Sequence, residues 1–255
     1  MTGPKQATGP RGWGAPLYAA VLGATAVGQG TRLLDLGCGA GMFARAAADR
    51  GAHVTGIDVD PAAVHLAAAA VPEGHFTLGD AHHPPPGPFD VVAAVQALMH
   101  VADPVAVLAG AARSGAVVAV TVWGRERECE VRVFGEALAP WLGPHRAPPG
   151  PPVTEPDRLR EMAGSAGLRV DRLDEVVCPF EYDDEGDVLG PLFDSALGHA
   201  AVRRAGPVAV REAVLRRLEP YRTATGGYRL ENLFRVLVGR RALTSGRLPG
   251  AHIGS

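Results

Sequence analysis

Leu33-Leu34-Asp35-Leu36-Gly37-Cys38-Gly39-Ala40-Gly41 decides the fold. A β-type run over Arg32–Leu36 breaks on three alternating glycines, and a helical pattern follows. Glycine is required where a tight turn must let the backbone approach a ligand closely. Taken alone, the stretch is equally a plain strand-to-helix turn, so its surroundings must separate the two readings.

Outward from this turn, short β-type runs alternate with helical patterns across residues 31–122. The remaining strand candidates are His53–Asp58, His75–Leu78, Phe89–Val95 and Ala116–Val122. Asp60-Pro61 and Asp103-Pro104 each set an N-cap acid before a proline at the first helical position. Such alternation implies βαβ units and a parallel sheet.

Asp35 lies in the first strand, Asp58 ends the second at the ~20-residue spacing of a ribose-binding acid, and Asp80 follows the third after Gly79. Open α/β sheets bind ligands along that carboxyl edge. Each acid alone reads as a cap or a solvated loop residue; together they suit an adenosine-containing ligand. A dinucleotide fingerprint counted from Gly37 needs Gly or Ala where Met42 stands. Counted from Gly39 it matches, ending at Ala44, but slides the turn away from the strand. An anionic pyrophosphate also disfavours an acid in the turn, whereas the ammonium and sulfonium of S-adenosylmethionine favour Asp35.

Asp35-Leu36-Gly37-Cys38-Gly39-Ala40-Gly41 resembles the first motif of the class I S-adenosylmethionine-dependent methyltransferases. Gly56-Ile57-Asp58 is similar to their second motif, Gly79-Asp80-Ala81 to the third, and Phe89-Asp90-Val91-Val92 to the start of their fourth strand. The resemblance is strong over residues 31–122 and weaker to about residue 240, where Ala166-Gly167-Leu168 before a strand also fits. It implies an α/β, Rossmann-like, mostly parallel sheet of seven strands in the order 3-2-1-4-5-7-6, the last antiparallel, with helices on both faces. It further implies S-adenosyl-L-methionine as cofactor. Asp35, Gly37 and Gly39 would pass its methionine portion, Asp58 with neighbouring Val59 its ribose, and Asp80 with Ala81 its adenine. Gln96, just past the fourth strand, would face the methionine end or the acceptor, and Tyr18 on an N-terminal helix would close over the cofactor.

In-line methyl transfer needs alignment and exclusion of water, plus a base where the acceptor is a hydroxyl or an acidic carbon. His100, between the fourth strand and the Asp103 cap, is the candidate base; the alternative is a histidine that packs and hydrogen-bonds locally. Trp123 either walls an acceptor pocket or packs in the core. His82-His83, before three prolines, reads as a solvated loop rather than a metal site, and His145 and His199 have no visible partner. No metal is expected.

Beyond Val122 the pattern predicts a helix over 125–142 and a loop over Pro144–Pro156. A helix then opens at Thr154, with Asp157 at capping-box spacing, and closes near Gly167. A strand Leu168–Val177, a solvated acidic stretch Glu181–Asp187, a helical region striped by Val210, Val214 and Leu218, and a final strand Tyr228–Val238 follow. The expected organisation is one domain over 1–243, with an N-terminal helix at 13–28, a core at 31–122, lid segments at 125–153 and 180–227, and a flexible tail at 244–255.

Composition narrows the function classes. The chain has 255 residues, 47% hydrophobic and 20% charged, with net charge −2, which supports a packed core and argues against a nucleic-acid or anionic-membrane coat. Lys5 is the only lysine and Asn232 the only asparagine, a bias that reads as a GC-rich genome. Three spaced cysteines, no signal-type apolar start and no run of the ~20 apolar residues a bilayer needs point to a cytoplasmic protein. The partner expected is a small-molecule acceptor, with a monomer or homodimer. The expected function is methyl transfer to O, N or C of that acceptor, in specialised metabolism. The alternatives are a cyclase or decarboxylase with the cofactor as a non-reacting group, a non-catalytic binding protein, and a nicotinamide oxidoreductase.

Overall fold

Strands buried on both faces read as unbroken apolar runs, and the central strands here do so. The computed structural model describes residue 10, residues 12–143 and residues 152–242. Its sheet is built from β1 (Arg32–Leu36), β2 (His53–Asp58), β3 (His75–Leu78), β4 (Phe89–Val95), β5 (Gly115–Trp123), β6 (Leu168–Tyr182) and β7 (Tyr228–Arg241). The strand order is β3-β2-β1-β4-β5-β7-β6, with β7 antiparallel to both neighbours. The first four strands begin and end where the sequence pattern puts them, and β5 gains one residue at each end.

Alternate residues of each strand feed opposite layers. Leu33, Val91 and Ala93 pack with α1 (Ala15–Ala24) and α2 (Met42–Ala48) through Leu17, Val21 and Phe43. Leu34, Leu36, Val92 and Ala94 pack with α4 (Pro104–Ser114) and α6 (Pro156–Ser165) through Leu108, Leu159 and Met162. Helix α3 (Pro61–Ala70) starts at Asp60, whose side chain accepts from Ala62 N at 2.9 Å, and Asp103 caps α4 from Ala106 N at 3.0 Å. Each such cap contributes about 1 kcal/mol.

The second half departs from the sequence reading at several points. The N-terminal helix is shorter than 13–28, running Ala15–Ala24. Residues 125–142 do not form one helix, and only α5 (Arg132–Leu138) is α-helical. The reason lies in β7, which outruns β5 and leaves an open edge. Gly124 N donates to Leu233 O at 2.6 Å, Glu130 N to Glu231 O at 3.0 Å, and Val131 N to the Asn232 side chain at 3.0 Å. Three amides of residues 124–131 therefore bond to the strand, which interrupts the helix between a 3-10 turn at Glu126–Glu128 and α5.

The start of α6 is also corrected, because Glu155 rather than Thr154 precedes it and no side chain caps it. The Thr154 carbonyl instead accepts from Arg235 at 3.2 Å. Strand β6 runs on to Tyr182 because β7 pairs with it as far as Tyr182 opposite Tyr228. The acidic stretch is correspondingly structured: Glu181 pairs with Arg229, Asp184 caps α7 (Glu185–Asp194) from Asp187 N, and Glu185 pairs with Arg211. Helices α8 (Ala196–Ala205) and α9 (Pro207–Leu218) follow, and Val210, Val214 and Leu218 are fully buried as their spacing predicts. His145, most of the proline-rich loop and the 244–255 tail lie outside the described residues. No helix among the described residues is long and apolar enough to cross a membrane.

A buried charge ties these additions to the sheet. Arg235 is 1% exposed and pairs with Glu128 at 2.7 Å and Glu175 at 2.8 Å. Arg125 extends the network to Glu128 and Glu155. Removing Arg235 takes one of two arginine partners from Glu128 and leaves a cavity where a fully buried side chain stood. Arg235→Ala is therefore expected to cost about 3 kcal/mol, read as a lower urea midpoint at unchanged slope. A loss below about 1 kcal/mol would mean that water already compensates both glutamates.

Candidate active site

The strand order sets the carboxyl ends of β3, β2, β1 and β4 side by side, so Asp80, Asp58, Asp35 and Gln96 fall along one edge. The glycine turn is pinned across this edge: Gly37 N and Cys38 N both donate to Ile57 O, at 2.8 and 3.0 Å. Gly37 has φ +73°, and a Cβ there would come within 2.9 Å of the Ala97 Cβ. Gly39 has φ +52° with open space where a Cβ would stand. Both positions require glycine, the first for conformation and contact, the second for conformation.

Asp58 is braced rather than free. Its Oδ2 accepts from Gly39 N at 2.9 Å and its Oδ1 from Asp60 N at 3.0 Å, which leaves each oxygen a further lone pair. Val59 beside it is 70% exposed, an apolar surface next to the acid.

Asp35 is the anomaly of the site. It is 1% exposed, and its Oδ2 has no hydrogen-bond partner. Burial, and next the charge of Asp58, push its carboxyl up to about 7. Tyr18 is pushed up to about 12, by burial first and then by the charge of Asp35, and packs edge-on to Phe43 at 5.8 Å between ring centres. Burial likewise pushes the Cys38 thiol up to about 12. An unpaired buried carboxylate is expensive unless a cation arrives.

Gln96 holds φ +57°, unusual for a residue with a side chain. Its backbone N–H and its Nε2 both donate to Thr121 Oγ1, at 2.9 and 3.0 Å. A fully buried partner, Thr121, maintains this strain. Thr121 went unread in the sequence; its signal was one hydroxyl inside the apolar run of β5.

The third acid, just past the end of β3, carries a local partner. Asp80 Oδ1 accepts from His82 N at 2.9 Å and lies 2.6 Å from His82 Nδ1, and these bonds hold its carboxyl below the usual range. His82 is thus engaged with Asp80, not a free loop residue, while Ala81 packs against the α4-side core. His100 ends a 3-10 turn, Leu98–His100, exposed, and its ring has no partner among the described residues. Trp123 stands in a four-ring cluster, 4.4 Å from Phe234, 5.8 Å from Phe180 and 6.5 Å from Trp13 between ring centres. Among the described residues no group of three or more His, Cys, Asp or Glu could hold a metal. An open cavity of about 620 Å³ is lined by His82, Pro88 and Arg113, and neither Asp35 nor Asp58 lines it.

Residues 34–116 match the family described as a methyltransferase domain. The chain is 32% identical over 155 residues to a ubiquinone biosynthesis O-methyltransferase of Thiobacillus denitrificans, covering 56% of this chain and 67% of that one. It is 32% identical over 152 residues to the enzyme of that description from Pseudomonas aeruginosa, covering 55% and 66%. The chain belongs to the class I S-adenosylmethionine-dependent methyltransferases. It spans about two thirds of the length of these curated relatives.

Solved structures share the methyltransferase fold. The YcgJ protein of Bacillus subtilis superposes with TM-score 0.57 at 14% identity, covering 89% of this chain and 98% of its own. The [4+2]-cyclase SpnF gives TM-score 0.56 at 23% identity, covering 89% and 81%.

The unpaired Asp35 makes a pH dependence in the ligand-free methyltransferase. Its folded value near 7 exceeds the ordinary 3.8, so between the two the folded state keeps a proton that the unfolded state releases. Stability therefore falls as pH rises from about 4 to 7 and stays lower above. Asp35→Asn is expected to be more stable than the wild type at pH 8, on the order of 2 kcal/mol, with the gap closing toward pH 4. Equal melting temperatures at pH 8 would show that Asp35 is solvated.

Proposed function

We propose that this chain transfers the methyl group of S-adenosyl-L-methionine to an O, N or C atom of a small-molecule acceptor. The observation that carries the reading is the buried Asp35 Oδ2, without a partner among the described residues, on the strand that ends at the Gly37–Gly39 turn. That carboxylate suits a cofactor whose methionine end brings an ammonium group. Asp58 would accept the ribose hydroxyls on its spare lone pairs, and Val59 would lie along the adenine. Asp80 with Ala81 would meet the edge of the adenine ring. Gly37 allows the close approach of the methionine portion, and Tyr18 would close over it.

When bound, the cofactor supplies a methyl group on a cationic sulfur. The chain's own residues then have two tasks, alignment and exclusion of water. Gln96, locked by Thr121, presents a fixed amide at the acceptor side. We assign residues 125–143 and helices α7–α9 as the acceptor lid; Trp13, Trp123, Phe180 and Phe234 would wall it. His100, exposed and without a ring partner, is free to take a proton from an acceptor hydroxyl or acidic carbon.

The relatives named O-methyltransferases favour oxygen as the receiving atom. Arg204, Arg211, Arg217 and Arg222 are each held by a protein acceptor, which supports a small acceptor over a nucleic acid. A role in specialised metabolism, a cytoplasmic setting and a monomer or homodimer complete the reading. A cyclase or decarboxylase using the same cofactor as a non-reacting group is the second reading.

Calorimetric titration with S-adenosylhomocysteine, with NAD as control, tests the cofactor, and product mass tests the transfer. One methyl added supports methyl transfer; turnover without it supports the cyclase or decarboxylase. Binding of NAD alone overturns both. Asp58→Ala is expected to weaken S-adenosylhomocysteine binding by about 1–3 kcal/mol through lost charged hydrogen bonds. Unchanged affinity removes Asp58 from the site. His100→Ala is expected to slow turnover with little change in cofactor affinity, and an active variant with a normal pH profile removes the base assignment.

A further inference from the structure

The link between β3 and β4 carries an arrangement that the roles above do not use. Asp80 Oδ1 holds two donors, His82 N at 2.9 Å and His82 Nδ1 at 2.6 Å. The His82 side chain is 23% exposed, whereas that of His83 is 87% exposed and stands 3.8 Å from Asp80 Oδ2. The two adjacent histidines are therefore not equivalent.

His82 is also fixed from behind. Its chain lies on Gly110 of α4, where a Cβ would come within 2.8 Å of the Pro84 Cδ and 3.5 Å of the His82 carbonyl oxygen. Ser114 Oγ donates to the Pro85 carbonyl at 3.1 Å, and three consecutive prolines stiffen the segment between. The backbone that carries the imidazole is thus held by the body of the protein, and the ring itself, 23% exposed, is held by Asp80. With Oδ1 taken by two donors, the remaining acceptor capacity of Asp80 lies mainly on Oδ2.

We propose that His82 is a positioning residue that fixes the Asp80 carboxylate so that its Oδ2 selects a purine bearing an exocyclic amine over one bearing an oxo group. The proposal rests on the cofactor reading above. An amine donates to Oδ2, whereas an oxo group turns a lone pair toward it. A site built to pair one of these partners rejects the other, provided the carboxylate cannot swing away. With the proton on Nδ1, His82 prevents that swing.

The test titrates the full chain with S-adenosylhomocysteine and S-inosylhomocysteine and compares the ratio of affinities. His82→Phe keeps a ring of similar size but removes the Nδ1–H, and its adenosyl preference is expected to fall about fivefold. His82→Asn places an amide N–H near the lost Nδ1–H and is expected to keep the preference. In an Asp80→Asn background, His82→Phe is expected to leave the ratio unchanged, as coupling through Asp80 requires. Thermal melting of each variant separates folding from recognition. An unaltered ratio in His82→Phe, or an equal loss in His82→Asn, overturns the positioning role while the cofactor reading stands. Failure of the wild type to bind S-adenosylhomocysteine overturns both.

Discussion

A carboxylate shut inside an apolar sheet edge is the constraint on which the site depends. Asp35 is 1% exposed, flanked by the charge of Asp58, and its Oδ2 meets no donor. Carrying charge there is unfavourable until a cation pairs with it. The surrounding chain is arranged as though for that arrival. The glycine turn is pinned to Ile57 O, Asp58 is braced by Gly39 and Asp60, and Gln96 is locked in a strained conformation by Thr121. Stability given up at Asp35 and strain held at Gln96 mark one place in the fold, a concentration characteristic of functional sites.

The molecule otherwise divides by how its strands are satisfied. The parallel half follows from local chemistry: apolar runs, acid-proline caps and glycine turns that agree with one another. The antiparallel half is organised around β7, which lies between β5 and β6 and outruns β5. Its open edge draws in residues 124–131, its Arg235 gathers Glu128 and Glu175, and its Asn232 bonds the Val131 amide. The single asparagine of a chain biased against asparagine is thus fully buried and holds the base of the lid assigned above.

This division explains which residues the sequence revealed. Asp35, Gly37, Gly39 and Asp58 are tied to strand ends that propensity and turn residues mark, so their shared edge was legible before any coordinates. Thr121 and Arg235 were not, because each acquires its role from a partner distant in the chain and from burial, and His82 was not, because only its loop's conformation turns its ring onto Asp80 two residues before it. Thr121 lies 25 positions from Gln96, and Arg235 lies 107 from Glu128. The helical pattern of 125–142 is interrupted for the same reason: the bare edge of β7 takes the amides of Gly124, Glu130 and Val131, and only Arg132–Leu138 is α-helical.

The sequence by itself determined the strand–helix alternation, the ends of the first four strands and the acids on the carboxyl edge, because these rest on periodicity, caps and glycines encoded within a few residues; the seven-strand order entered through the resemblance to the class I methyltransferases. Tertiary structure alone decided that Asp35 Oδ2 has no partner among the described residues, that Asp80 is held by His82, that Gln96 is strained and that residues 124–131 bond to β7. Burial, charge coupling and hydrogen bonds across long separations exist only once the chain has closed on itself.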